Sequence, residues 1–252
     1  GQEGEFIPRN HFMNLNGGAP EFIWQVWTAC ALNPVYPQGG TWIYDRAGWC
    51  PGQASDLKEM DITNMVTPGQ VAQIDYGMNG ASGTSEYIVN NQLVSYGAPN
   101  FTLDATLVDV IKPSNKIENT RIGSWCQGPI VRIQNTGSTT LTSATITYWV
   151  NNTSTHETYN WTGFLGYLES ADVVLPTANV WANINPSNNV FHAEITAPNG
   201  GTDGYSYNNK YHAPFNVPAV LPSEFYIWFK SNSAAAETSY QLLDENGLVV
   251  AS

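Results

Sequence analysis

Residues 129–148 read Pro129-Ile-Val-Arg-Ile-Gln134-Asn135-Thr136-Gly137-Ser-Thr-Thr-Leu-Thr-Ser143-Ala-Thr-Ile-Thr-Tyr148. On either side of Asn135-Thr136-Gly137 the apolar and polar residues alternate, and β-branched side chains dominate. Successive side chains of a strand point to opposite faces, so this alternation describes a strand with one buried face, whereas a helix would space its apolar residues three and four apart. Asn and Gly supply the turn chemistry between the two runs. The stretch therefore predicts strands over 130–134 and 143–150. Similar runs at 105–111, 157–161, 171–175 and 190–196, with a further turn at Asn199-Gly200-Gly201, give short strands at regular spacing. That is the pattern of an immunoglobulin-like β-sandwich, expected over 101–212.

Working outward, Gly97, Ala98 and Pro99 mark a boundary on the N-terminal side. Before it, residues 6–28 alternate in aromatic-rich bursts around Asn16-Gly17-Gly18, which reads as a hairpin. Residues 33–52 are dense in Pro and Gly and are bracketed by Cys30 and Cys50, a long stapled loop of the kind that more often carries function than scaffold. Strands are expected at 58–62 and 72–76, then at 86–89 and 92–96 around Asn90-Asn91. On the C-terminal side, Pro214, Pro218 and Pro222 suggest a linker from 213, and residues from Phe225 onward read as the start of a further β-module. The expected class is all-β: a sheet-forming domain over 1–100, which the resemblance described below implies is a jelly-roll sandwich, the immunoglobulin-like sandwich over 101–212, and a linker with the beginning of a third module over 213–252.

Composition narrows the function. Nine Lys plus Arg against twenty-one Asp plus Glu give a net charge of −12, which opposes binding to phosphate backbones and argues against a nucleic-acid partner. No run of apolar residues is long enough for a membrane-spanning helix, so no membrane insertion is expected. The chain opens without an initiator Met or a signal-like segment and closes on the apolar Leu248-Val-Val-Ala-Ser252, and both ends read as cut. Of the three cysteines, Cys30 and Cys50 suit one disulfide in an oxidising compartment, and Cys126 reads as a buried, unpaired thiol. His11, His156, His192 and His212 are scattered and build no metal cluster, and nothing calls for a cofactor. Asn199 to Asn209, with Asp203, is rich in oxygen donors but lacks a spaced Asp-x-Asp-x-Asp pattern, so it reads as a solvated turn. The sequons at Asn100, Asn151, Asn152 and Asn160 read as turn chemistry.

The string Asp45-Arg46-Ala47-Gly48-Trp49-Cys50-Pro51-Gly52, within Cys30 to Gly52, resembles the signature of peptide-N-glycosidase F and its relatives. The resemblance runs back through His11 to Glu5 and forward to about Asn100. It implies the second of two side-by-side jelly rolls in an enzyme that cleaves the amide between an asparagine side chain and the first N-acetylglucosamine of a glycan. The main catalytic aspartate of such enzymes lies in the first jelly roll. The resemblance places the supporting catalytic carboxylate at Glu5 and substrate contacts at Arg46, Trp49 and neighbouring Asp45. A guanidinium offers a fork to sugar or carbonyl oxygens, and an indole offers an apolar face to a pyranose ring. The plainer alternatives are a salt bridge between Arg46 and Asp45, packing of Trp49 on the disulfide, and His11 as an ordinary strand residue. One departure is visible: where the family flanks its glutamate with two cysteines, this chain has Glu3 and Ile7.

Residues 129–148 together with Tyr159-Asn-Trp-Thr-Gly163 are similar to adhesion-type spacer sandwiches of secreted Bacteroidota proteins, which commonly follow enzymatic heads and precede sorting domains of the type IX route. The expected protein is secreted or cell-surface and modular. Its expected partners are an N-glycan or glycoprotein and other domains of the same polypeptide. The role is binding or structural, with the alternative that the chain is one part of an amidase whose first jelly roll lies upstream.

Overall fold

In the computed structural model the described residues are 7–30, 44–51, 57–80, 86, 88–116, 119, 128–177, 179–217, 221–228, 230, 236, 239–244 and 247–252. The chain divides into two compact units, 1–95 and 96–252. Every sheet is antiparallel, and the described helical residues are single 3-10 turns. The all-β class holds.

The first unit carries β1 (Arg9–Leu15), β2 (Pro20–Val26) and β3 (Ile74–Met78) in the order β2-β1-β3. The β1–β2 hairpin turns where the sequence places it. Asn16 and Gly17 have φ of 53° and 70°, and the Gly18 N–H donates to the Leu15 carbonyl at 2.9 Å. Two central residues with positive φ make a type I′ turn, whose twist matches that of the strands it joins. The strand expected over 58–62 does not form. Asp61 accepts the Thr63 N–H at 2.8 Å and starts a 3-10 turn at Thr63–Met65, a local bond that competes with a sheet ladder. Residues 88–96 also lie outside any strand, and Ile88, Leu93, Val94 and Tyr96 are exposed. Alternation specifies a strand only where a neighbouring edge and an apolar face receive it, and a hairpin on its own is marginal.

Among its described residues, the second unit holds a sandwich of seven strands. β4 (Ala105–Lys112), β5 (Ile130–Asn135) and β8 (Ser170–Val174) form one sheet in the order β4-β5-β8. β6 (Leu141–Val150), β7 (Glu157–Leu165), β9 (Asn189–Thr196) and β10 (Lys210–Phe215) form the other in the order β10-β9-β6-β7. Val110, Val131, Ile133 and Val173 from the first sheet meet Ile146, Tyr148, Phe191, Ile195 and Phe215 from the second in one buried core. The strand β10 falls where a Pro-bearing linker was expected. Pro214 is accommodated because β10 is an edge strand with β9 as its sheet neighbour, so the missing N–H forfeits no central ladder bond. Beyond it, β11 (Leu242–Leu243) pairs with β12 (Val249–Ala251) in a short exposed ribbon.

The turn after β5 is held by a buried amide. Asn135, 1% exposed, donates from Nδ2 to the carbonyls of Thr139 and Leu165 at 3.0 and 2.9 Å and accepts the Gly137 N–H on Oδ1 at 3.0 Å. Asn135→Ala removes three side-chain hydrogen bonds to the backbone, and the Gly137 N–H keeps a second acceptor, the Asp104 carbonyl at 3.0 Å. We expect a loss of about 2–4 kcal/mol in urea unfolding of the second unit, with the secondary structure of the first unit unchanged by circular dichroism of the separated unfolding transitions.

The outer face of the four-stranded sheet carries a row that the linear sequence hides. His192 stacks on Trp149 with ring centroids 5.1 Å apart, His156 stacks on Trp149 at 4.1 Å, and His212 lies 6.2 Å from His192. Burial first, and then the neighbouring His212 and His156, hold the His192 pKa below its ordinary value of 6.5. A base with a lowered folded-state pKa binds its proton more readily when unfolded, so its contribution is present at neutral pH and is lost as pH falls from about 6.5 through the lowered value. The urea midpoint is therefore expected to drop between pH 7 and pH 5, and His192→Gln is expected to flatten that drop.

Candidate functional site

The Asp45-to-Cys50 segment is anchored from two sides. Thr28, just after β2, and Arg46 form an antiparallel bridge, with Thr28 N–H donating to the Arg46 carbonyl at 2.7 Å and Arg46 N–H to the Thr28 carbonyl at 3.0 Å. Two residues beyond Thr28, Cys30 is joined by a disulfide to Cys50, and both are buried. The Cys30 sulfur lies 3.3 Å from the Trp49 carbonyl oxygen. Between these anchors Gly48 takes φ of 84°, and a Cβ there would stand 2.6 Å from Val26 Cγ1. Glycine is required on both counts, since positive φ is strained for other residues and the space is already filled. The Gly-Trp-Cys order is thus a local geometric necessity: the glycine lets the chain reverse, which sets the indole before the anchored cysteine.

On this frame Arg46 and Trp49 meet. The guanidinium carbon lies 5.0 Å from the Trp49 ring centroid, a cation–π distance. Arg46 is 3% exposed and donates from Nη1 to the Tyr44 carbonyl at 2.9 Å, while Trp49 is 40% exposed. The two residues lie together but differ in exposure: Trp49 lies on the surface and Arg46 is buried beneath it. The physical reason is the bridge to Thr28, which places the Arg46 backbone against the end of β2. Asp45 is exposed. Glu5 and Cys126, expected as a supporting carboxylate and an unpaired thiol, fall outside the described residues.

His11 is a buried strand residue. It is 4% exposed on β1, opposite Trp24 of β2, and its Nδ1 is hydrogen-bonded to the Tyr76 hydroxyl on β3. The rings of His11, Trp24 and Tyr76 lie within 5.7–6.2 Å of one another. Burial lowers the His11 pKa, which keeps the imidazole neutral within the aromatic cluster. Among the described residues no group of three or more His, Cys, Asp or Glu is arranged to hold a metal ion. No described helix is long and apolar enough to cross a membrane.

The arrangement can present a rigid, partly exposed indole supported from below by a cation, which suits recognition of a ring with an apolar face. Residues 1–97 match the family model described as peptide-N-glycosidase F, C terminal. Over 98 residues the chain is 31% identical to the peptide-N(4)-(N-acetyl-beta-D-glucosaminyl)asparagine amidase F of Elizabethkingia miricola, a match covering 36% of this chain and 27% of that protein. The chain thus spans about a quarter of the length of the curated relative it matches. The first unit therefore holds a domain similar to the C-terminal domain of that amidase. Among solved structures, the CARDB domain of a Pyrococcus furiosus protein, solved in complex with di-metal ions, is 19% identical and covers 52% of this chain and 100% of that one at a TM-score of 0.29. A likeness of that size carries no argument.

The cysteines are separated by 20 in sequence, and closing a loop of that size removes unfolded-state entropy worth about 3 kcal/mol. Replacing both, as Cys30→Ala with Cys50→Ala, is expected to destabilise the first unit by about that amount in denaturant unfolding. Trp49 fluorescence is expected to shift to longer wavelength before the β1–β2 hairpin melts, because the loop loses its C-terminal anchor first.

Proposed function

We propose that this chain is part of a secreted or cell-surface modular protein whose first unit binds N-glycans or glycoproteins through the Trp49 surface. In this reading residues 1–100 form a jelly roll, the sandwich from β4 to β10 serves as an immunoglobulin-like spacer, and the residues beyond Phe215 begin a further β-module. The observation that carries it is the pairing of a 40% exposed Trp49 with a buried Arg46 on a disulfide-anchored loop. One ring face rests on the guanidinium, and the exposed part is held rigid and ready to stack on a sugar. Rigidity matters because a pre-positioned aromatic loses little entropy on binding. The relative's name points to N-acetylglucosamine linked to asparagine as the chemistry to test. Asp45, exposed on the same loop, would border the ligand, with Arg46 acting through Trp49.

A second reading is favoured by the match to an amidase: the chain supplies the non-nucleophilic half of a two-domain site, with Glu5 as its supporting carboxylate. Amide hydrolysis needs a group to activate water and donors to steady the oxyanion. In this reading the principal acid or base is supplied by a first jelly roll.

Titration of the purified chain with a short asparagine-linked chitobiose glycopeptide, followed by Trp fluorescence and calorimetry, tests both. Binding is expected, with Trp49→Ala weakening it at least about tenfold, or about 1.4 kcal/mol. Unchanged affinity in Trp49→Ala overturns the assignment of the surface. Conversion of the linked asparagine to aspartate, seen by mass spectrometry only when a first jelly roll is supplied together with this chain, establishes the amidase reading in its place.

A further inference from the structure

At one end of the sandwich, residues 101–104 lead into β4 and pack against the 197–209 loop between β9 and β10. The Gly204 N–H donates to the Leu103 carbonyl at 2.8 Å, and the rings of Phe101 and Tyr205 stack with centroids 6.0 Å apart. This packing gathers Asp104 and Asp203 from distant parts of the sequence: Asp203 bonds to the N–H of Ala105, the residue after Asp104, and Asn208 of the same loop bonds to the Asp104 carboxylate.

The acceptors around them exceed the donors. Asp104 is 4% exposed. Its Oδ2 accepts the Thr136 hydroxyl at 2.6 Å and the Asn208 Nδ2–H at 3.2 Å, while its buried Oδ1 accepts nothing. Asp203 accepts the Ala105 N–H on Oδ2 and the Tyr205 N–H on Oδ1, each at 3.0 Å. Asn208 spends its amide protons on Asp104 and on Thr106 Oγ1, the latter at 2.7 Å, and its own Oδ1 is buried without a donor. Among the described residues no Lys, Arg or His is ion-paired with either carboxylate. An orphaned carboxylate oxygen more than nine-tenths buried, near a second carboxylate, is costly unless a positive charge or a shared proton lies between them.

We propose that this cluster of oxygens binds a calcium ion, held by Asp104 Oδ1, the Asp203 carboxylate and Asn208 Oδ1, with water completing the shell. The donors are all oxygen, which selects a hard cation over Zn²⁺ or Cu²⁺. The ligands come from two separate segments and from both carboxylate and amide groups. Such an irregular set suits the flexible coordination of six to eight oxygens by Ca²⁺ better than the strict octahedron of Mg²⁺. A bound ion ties the β9–β10 loop to the entry of β4, and so clamps the end of the second unit nearest to residue 96. The sequence reading of 199–209 as a solvated turn counted one Asp in one loop. Its carboxylate partner and Thr106 lie about a hundred residues away, as do the bonds that record them.

The full chain, stripped with chelator, is titrated with CaCl2 by calorimetry and by thermal melting, and with Tb³⁺, whose luminescence Tyr205 can sensitise. One site is expected, with a Kd of about 0.1–1 mM or tighter. At a hundredfold excess of Ca²⁺ over Kd the Tm is expected to rise by roughly 5 °C, and Mg²⁺ is expected to bind at least about tenfold more weakly. Asp104→Asn and Asp203→Asn should each abolish the Ca²⁺-dependent rise and the Tb³⁺ signal, while Asp61→Asn, in the first unit, should keep both. Absence of any Ca²⁺ effect in the wild-type chain overturns the proposal and leaves a shared proton between the carboxylates. Retention of the signal in both Asp variants overturns it as well. Should those variants fail to fold, Asn208→Ala and the wild-type Tb³⁺ titration decide by the same criteria.

Discussion

The covalent bond between Cys30 and Cys50 is the constraint on which the candidate site depends. Between residues 44 and 51 the chain makes a single bridge and no strand, so its conformation is fixed by other means. Here three devices act within a few residues: the disulfide, the two-bond bridge between Thr28 and Arg46, and the reversal at Gly48 that leaves no room for a side chain beside Val26. Together they turn a loop into a platform. The indole of Trp49 stays exposed because the space beneath it is already occupied by a guanidinium. A buried cation is tolerable there since it donates to the Tyr44 carbonyl and faces an aromatic ring.

The second unit relies on a different constraint, the simultaneous burial of two sheet faces. Its inward residues alternate along β5, β6 and β9, so a slip of register by one residue would turn the core outward. What the apolar alternation leaves open is settled by polar side chains at the ends of strands. Asn135 closes the β5–β6 turn from inside, and Asn199 joins the start of β6 to the loop after β9 by accepting the Thr142 N–H at 2.7 Å and donating to the Thr140 carbonyl at 2.8 Å. These amides replace missing ladder bonds where the chain leaves the sheet. The Asp104–Asp203 cluster lies at the same level of organisation, where long-range contacts gather groups that neither segment would collect alone.

The two units are held by different means. The first has a small sheet and a stapled loop with an aromatic surface, and it is the part that matches the family model described as peptide-N-glycosidase F, C terminal. The second has a larger apolar core, and its strands carry polar outer faces. Covalent closure supplies rigidity to a loop, whereas extensive packing supplies it to a sandwich.

Much was legible in the sequence because it is encoded by neighbours. The period-two alternation marked five of the seven sandwich strands nearly to the residue, since each strand must show one face to a core. Asn16-Gly17 announced its hairpin because few residue pairs adopt two positive φ values in succession. Cys30 and Cys50, bracketing a Pro- and Gly-rich segment, announced the disulfide. Tertiary structure decided the rest. It made a strand of Lys210–Phe215 despite Pro214, because an edge position removes the penalty that a linear reading assigns to proline. It denied strands to 58–62 and 88–96, because alternation without a receiving edge has no partner to bond. It set Arg46 beneath Trp49, through a backbone bridge to Thr28 that no motif records. It drew His156, His192 and His212 into one row with Trp149, and Asp104 against Asp203, because sheet pairing and loop packing join residues that the chain keeps far apart.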